Sequence, residues 1–387
     1  MYKIAHLTTV HPRFDTRIFW KECRSLAAAG HLVTLIVADG NGYELRDKVT
    51  ILDIGTSSTN RWLKIGFLWL RMLRQLTLVK ADIYHFHDPE LIPIGILLKL
   101  AGKKVIYDAH EDVALDIQTK VWIKPSMRYL IGKFFDVFEK TSSKFFDAVI
   151  TVAPNLLKKF ARVNSSSFEV RNFPMIEDLS FAKTANYERK KNQLLYVGSL
   201  TKVRGASKML DALLHLDANL VLAGTFSPPS LLEECQKHPA WSKVKYLGFC
   251  SREQIIALCQ ESALGYALIQ EDKNLMTGYP VKLFEYMSCE LPVIVSDFPL
   301  WREIVEGAQC GLAINQYEVA NIVAATEKIL SDADLRNKMG QNGKEAVLKK
   351  YNWPQEEQHL LNVYEQILEK KHDARSASKV SEIEANH

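Results

Sequence analysis

Short apolar runs alternate with amphipathic helical patterns along almost the whole chain, and the alternation starts over once. In the first half the predicted strands are 3–9, 32–38, 49–54, 83–87, 104–108, 148–152 and 168–171. Each is rich in Val, Ile or aromatic residues, and most are bounded by Gly, Asp, Asn or Pro. Between them, Ile18, Phe19, Cys23, Leu26 and Ala27 share one helical face, and Gly30 supplies a stop. Continuous apolar strands separated by helices imply a parallel sheet covered on both faces. A polar stretch at 183–192 (KTANYERKKN) interrupts the pattern, and new strands are predicted at 194–197, 220–222, 244–247, 263–268, 292–295 and 312–314. Helices fit between these at 207–215, 230–237, 252–260, 281–288 and 318–330, and later ones at 334–349 and 354–371.

The expected fold class is therefore α/β, with two doubly wound, Rossmann-like domains facing across a cleft. The expected domains are 1–180 and 190–350, followed by a closing helix at 351–371 and a polar tail at 372–387; a length of 387 residues suits two domains. Open α/β sheets bind ligands at the carboxyl ends of their strands, so reactive residues are expected just after the predicted strands.

A formal charge of +4 is too small to argue for nucleic acid. It is unevenly distributed: residues 1–180 carry 25 Lys and Arg against 19 Asp and Glu, a balance of +6, and the remainder is −2. A basic first half suits an anionic surface or ligand. The six cysteines form no C-x-x-C pair, which argues against a disulfide framework and a cysteine metal site and for a reducing compartment. The start, MYKIAHLTTV, is a strand pattern without the apolar core of a secretory signal, and no apolar run approaches the ~20 residues needed to span a bilayer. A cytoplasmic protein is expected, free or attached to the inner membrane face.

Five segments could carry chemistry. HFHDPE at 85–90 follows one predicted strand and YDAHED at 107–112 follows the next, placing His87, Asp108 and His110 where a ligand would meet them. Helix capping by Asp88 and packed histidines are the plain alternative. Neither cluster has H-x-x-x-H spacing, so no metal is expected. In VGSLTKVRG at 197–205, Gly198 permits close approach of a phosphate, Lys202 and Arg204 bring charge, and a helix N-terminus brings amides. The segment is neither a dinucleotide fingerprint nor a P-loop. In GYPVKLFEYM at 278–287, Lys282 and Glu285 share a helix face, and a carboxylate there could accept two hydrogen bonds from vicinal ribose hydroxyls. An ordinary surface ion pair would look the same. Finally, 60–80 and 122–144 interleave basic and aromatic residues, as an anionic lipid surface or the outer face of a cover helix would require.

Taken in order, these motifs resemble the family-4 retaining glycosyltransferases of the GT-B fold over about residues 1–370. PVKLFEYMSCELPVIVSDFPLWREIVE at 280–306 looks like that family's nucleotide-sugar segment, and YVGSLTKVRG at 196–205 looks like its diphosphate loop. HPRFDTRIFWKECRSLAAAGHLVTLIV at 11–37 is similar to a branch from bacterial surface-polysaccharide synthesis. The resemblance implies that Glu285 holds the donor ribose and that Arg204 and Lys202, helped by Lys282, hold the diphosphate. It also implies that Gly198, Gly278 and Tyr279 meet donor phosphate and sugar through their backbones and that Phe249 packs on the base. His87 would lie at the reacting sugar, with Asp108 and His110 nearby. The partners implied are a nucleotide-sugar, most often uridine-linked, and a lipid-linked saccharide or glycan acceptor, with no cofactor and no metal.

The chain departs from the pattern at three places. Thr277 stands eight residues before Glu285, where the family has its first Glu. Ser199 replaces Arg, and Thr8-Thr9-Val10-His11 replaces a Gly-Gly. A sugar-nucleotide epimerase of the same fold and a non-catalytic membrane scaffold are the competing readings.

Overall fold

The computed structural model describes residues 1–56, 61–120, 123–176, 188–272 and 275–384, with the side chains of 61–65, 119 and 370–384 left out of account. Most of the stretch 181–189 between the two expected domains, as well as Asn60 and Trp122, lies outside the described residues. The chain forms two compact units: one comprises Met1–Arg171 with Glu356–His387, the other Asn172–Gln355.

Among the described residues the first unit holds eight strands: β1 (Lys3–Leu7), β2 (Leu32–Val37), β3 (Glu44–Arg46), β4 (Val49–Asp53), β5 (Ile83–Phe86), β6 (Lys104–Ala109), β7 (Ala148–Thr151) and β8 (Ser167–Glu169). Their order is β3-β4-β2-β1-β5-β6-β7-β8, parallel except for the β3–β4 pair. β5 and β7 are buried at every position, as strands covered on both faces must be. Helices Arg61–Leu78, Ile92–Leu100, Pro125–Ser143 and Pro154–Ala161 lie between successive strands. Leu68, Ile94, Leu156 and Phe160 from these helices join Phe86, Tyr107 and Val149 of the sheet in one apolar cluster. β3 is absent from the predicted strands; three residues long and mostly exposed, it carries no apolar period to read. The chain's last helix, Trp353–Glu384, continues well past the expected end near 371.

The second unit has six strands, all parallel: β9 (Gln193–Val197), β10 (Asn219–Ala223), β11 (Val244–Gly248), β12 (Leu264–Ala267), β13 (Val293–Ser296) and β14 (Gly311–Ile314). They run in the order β11-β10-β9-β12-β13-β14. Alternation along β9 feeds two cores, Leu194 and Tyr196 on one face and Leu195 and Val197 on the other. Helices fall at all five predicted places, and a further one, Pro299–Ala308, buries Trp301, Ile304 and Val305. All six cysteines are free and buried.

In each sheet the strand order reverses direction beside the first strand of the unit, between β1 and β5 and between β9 and β12. Crevices open at such switch points, at the strands' carboxyl ends.

Candidate active site

In the second unit the switch point gathers the residues that follow β9 and those of helix Val281–Ser288. Gly198 has φ +111, which few residues with a side chain adopt. Gly224, after β10, backs it so closely that a Cβ there would sit 1.9 Å from the Gly198 carbonyl oxygen. Helix Ala206–Leu213 then begins at Gly205, itself left-handed at φ +72. Helix Val281–Ser288 is locked to the same place by Tyr286, whose hydroxyl accepts a 2.8 Å hydrogen bond from the Val197 amide. Gly265 of β12 makes room for that ring: a Cβ would lie 2.6 Å from it.

One turn before Tyr286, Lys282 extends its ammonium to the Gly198 loop. A Cβ on Gly198 would stand 3.4 Å from Lys282 Nζ and 3.9 Å from Arg204. Nζ is buried, has no hydrogen-bond partner and lies 3.7 Å from the centre of the Tyr196 ring. Burial first, then Arg204, push the Lys282 pKa well below its ordinary value, against the pull of Glu285. The loop thus brings together two basic side chains, a glycine backbone and a helix N-terminus, with Lys282 Nζ lacking a hydrogen-bond partner. That arrangement can hold a diphosphate and stabilise charge developing on it.

The other expected donor residues take varied positions. Glu285 is half-buried on the same helix. Lys202 is exposed and paired with Glu234 at 3.2 Å, so Lys282 is the buried cation of the pair. Gly278 accepts a 2.9 Å hydrogen bond from the Trp301 indole, and Tyr279 packs edge-on against Phe173. Phe249 is 84% exposed, beyond β11. Thr277 sits in the short helical turn Leu275–Thr277.

In the first unit the residues after β1, β5 and β6 converge. Asp108 is fully buried, and both of its oxygens are taken by Arg17, at 2.9 and 3.1 Å. The same carboxylate lies 3.2 Å from His87 Nδ1 and 3.1 Å from His110 Nε2. Burial works against the charge of Asp108, but Arg17 and His110 outweigh it and hold its pKa well below the ordinary range. His87 is itself buried, and its other nitrogen lies 2.9 Å from His6 Nδ1. Both ring nitrogens of His87 are therefore occupied. His110 and His11 are the imidazoles of this group with open surface, at 20% and 30% side-chain exposure, and their rings touch at 5.2 Å. Hydrogen bonding to Asp15 raises the His11 pKa above its ordinary value.

Asp88 does not cap the helix that follows it. It stands at the first position of the turn Pro89–Leu91, but its side chain reaches back to β1. There it accepts hydrogen bonds from the Thr8 hydroxyl (3.0 Å), the Thr9 hydroxyl (3.1 Å) and the Thr9 and Val10 amides. The residues that stand in for the family's Gly-Gly are thus held by a carboxylate. Sequence reasoning missed His6, Arg17, Glu22, His85 and Tyr364. Arg17 and Glu22 lie inside the stretch that carries the resemblance, but no local spacing links Arg17 to Asp108, 91 positions away, or Glu22 to His85 and His87.

Residues 16–170 match the Glycosyltransferase Family 4 domain, and residues 179–346 match Glycosyl transferases group 1. An uncharacterised glycosyltransferase of Methanocaldococcus jannaschii is 24% identical, covering 95% of this chain and 99% of its own length. A phosphatidyl-myo-inositol mannosyltransferase of Mycobacterium leprae is 23% identical over 80% of this chain and 78% of its own. Among solved structures, HepE of Anabaena in complex with UDP-glucose superposes with a TM-score of 0.71 at 14% identity, covering 95% of this chain and all of that one. With two parallel-sheet units, a family 4 match in the first half and a group 1 match in the second, the chain is a glycosyltransferase of the GT-B fold.

Proposed function

We propose that this glycosyltransferase moves a sugar from a uridine diphosphate sugar to a lipid-linked or glycan acceptor, with retention of anomeric configuration, in the synthesis of a surface polysaccharide. The observation that carries the donor reading is the buried Lys282 Nζ, without a hydrogen-bond partner, beside Arg204 and the Gly198 loop. The bond from the anomeric carbon to the diphosphate breaks, and both electrons leave on the phosphate oxygen, where Lys282, Arg204 and the loop amides meet the new charge. The acceptor oxygen bonds to the same face of that carbon, and its proton passes to the departing phosphate oxygen. No metal is assigned to this step. Glu285 holds the ribose hydroxyls, and Gly278 and Tyr279 meet the sugar.

On the acceptor side, helix Pro125–Ser143 leaves Tyr129, Leu130, Phe134 and Val137 between 57% and 75% exposed, beside exposed Lys124, Lys133 and Lys144. That mixture suits an anionic lipid surface and hence a lipid-linked acceptor made on the cytoplasmic face of a membrane. The mannosyltransferase relative named for phosphatidyl-myo-inositol supports the same class of acceptor. No helix among the described residues is long and apolar enough to cross a membrane.

The test is a panel of nucleotide-sugars with a membrane extract as acceptor. Transfer of label from a UDP-sugar into lipid, absent in Arg204→Ala and Lys282→Ala, is the expected result. Epimerised donor without acceptor, or no nucleotide binding by calorimetry, would replace the reading with an epimerase or a scaffold.

A further inference from the structure

The first unit contains a closed cluster that includes His87, whose ring nitrogens are both occupied, and to which the transfer step above assigns no role. His6 on β1, His85 on β5, His87 just after it and Glu22 in the helical turn Ile18–Cys23 are each at most 2% exposed. Glu22 Oε2 lies 3.9 Å from each of three imidazole nitrogens, His6 Nδ1, His85 Nδ1 and His87 Nε2. These four atoms all fall within 4.8 Å of one another. Neither Glu22 oxygen has a hydrogen-bond partner, although Arg17 Nε stands 3.0 Å from the other oxygen. The charge of Arg17 is already met by the two-point bond from Asp108. One guanidinium therefore stands between two buried carboxylates, and Glu22 turns its second oxygen to three imidazole nitrogens.

We propose that His6, Glu22, His85 and His87 form a structural zinc site. Three imidazoles and one carboxylate are a donor set that suits zinc, and bonds of about 2.0–2.1 Å span a tetrahedron whose edge is roughly 3.4 Å. The His6–His87 separation of 2.9 Å and the three of 3.9 Å bracket that edge. The outer contacts also fit. His87 turns its second nitrogen to Asp108 at 3.2 Å, the carboxylate–histidine pairing that fixes a ligand's tautomer. His6 turns its second nitrogen to the Tyr364 hydroxyl at 3.3 Å. His85 Nδ1 now meets Tyr364 at 2.8 Å and would exchange that bond for the metal. Because the cluster is closed to solvent, the ion has no open position for substrate and acts by tying β1, β5 and the Ile18–Cys23 turn together. The site is independent of the donor reading, whose residues all lie in the second unit.

The experiment is elemental analysis and thermal unfolding of the untagged full-length protein. Zinc in equal amount to protein, removed by phenanthroline with a fall in Tm and restored by added zinc, is the expected result. Cobalt(II) in its place should give the strong visible absorption of a four-coordinate centre. Glu22→Gln should lose the metal and His110→Ala should keep it. Wild-type protein that takes up neither ion and shows no shift in Tm would overturn the proposal, even if Glu22→Gln fails to fold. Loss of zinc in His110→Ala with retention in Glu22→Gln would overturn it too, moving the ion to Asp108 and His110.

Discussion

Lys282 illustrates how one residue acquires a task from its surroundings. Burial and Arg204 both disfavour its charge, and Glu285 opposes them. A bound diphosphate would reverse that balance, so its binding should take up a proton. The expected observation is a UDP-binding enthalpy that varies with the ionisation enthalpy of the buffer, and an affinity that falls as pH rises through the lowered Lys282 pKa. Equal enthalpies in two such buffers would count against it. Lys282→Met should lower kcat about 10²–10³-fold, the usual cost of one donor aimed at developing charge. Asp108 has a different role. Asp108→Asn removes one of the two buried carboxylates beside Arg17, leaving Glu22 at 3.0 Å, and should cost about 1–3 kcal/mol in urea unfolding. Local spacing alone leaves Lys282 open between a donor contact and a surface ion pair with Glu285, because the Gly198 loop that buries it lies 84 positions earlier.

At the level of elements, Asp147 shows how strands and helices are joined. It precedes β7 and accepts hydrogen bonds from Lys99 at the end of helix Ile92–Leu100 and from Lys104 and the Val105 amide of β6. Burial raises its pKa, but these three bonds outweigh it and hold the value below the ordinary one. Its contribution is therefore present above the unfolded pKa of 3.8 and is lost as pH falls through the lower folded value. Asp147→Asn should cost about 1–3 kcal/mol at neutral pH, toward the low end because both lysines are a quarter exposed. It should also flatten the loss of stability below about pH 4; an unchanged acid limb in urea titrations would refute the assignment. The buried strands were readable because continuous apolar runs have few other fates. β3 and helix Pro299–Ala308 were not: the first has no apolar period, and the second, ten residues long, starts only three positions after β13 in a stretch read for its resemblance alone.

For the whole molecule, the last helix belongs with the first unit although it follows the second in sequence. Leu360, Val363, Tyr364 and Ile367 are at most 3% exposed, and Tyr364 reaches His85 and His6. Leu360→Ala should cost about 2–5 kcal/mol, and hydrogen exchange should rise within Met1–Arg171 rather than Asn172–Gln355. A rise confined to the second unit would contradict this division. At the surface, Phe134→Glu should abolish co-sedimentation with anionic vesicles at low salt while leaving UDP binding unchanged. Of the basic-aromatic stretches, only part faces outward: Phe134 is 75% exposed, whereas Trp69, Phe135 and Phe138 pack on the core.

The sequence by itself determined what periodicity and local chemistry can encode: two parallel α/β units, strands β1, β2 and β4 to β14, and the loop and helix that carry Gly198, Arg204 and Glu285. Those features depend on neighbours a few positions apart, so a linear reading reaches them. The tertiary structure alone decided which polar groups are dry and which are wet. It buried Lys282 and left Lys202 in water, closed both nitrogens of His87, and brought Arg17 to Asp108 and Tyr364 to His6 and His85. Charge and hydrogen bonding take their strength from that burial, and burial is set by segments that the chain order keeps apart.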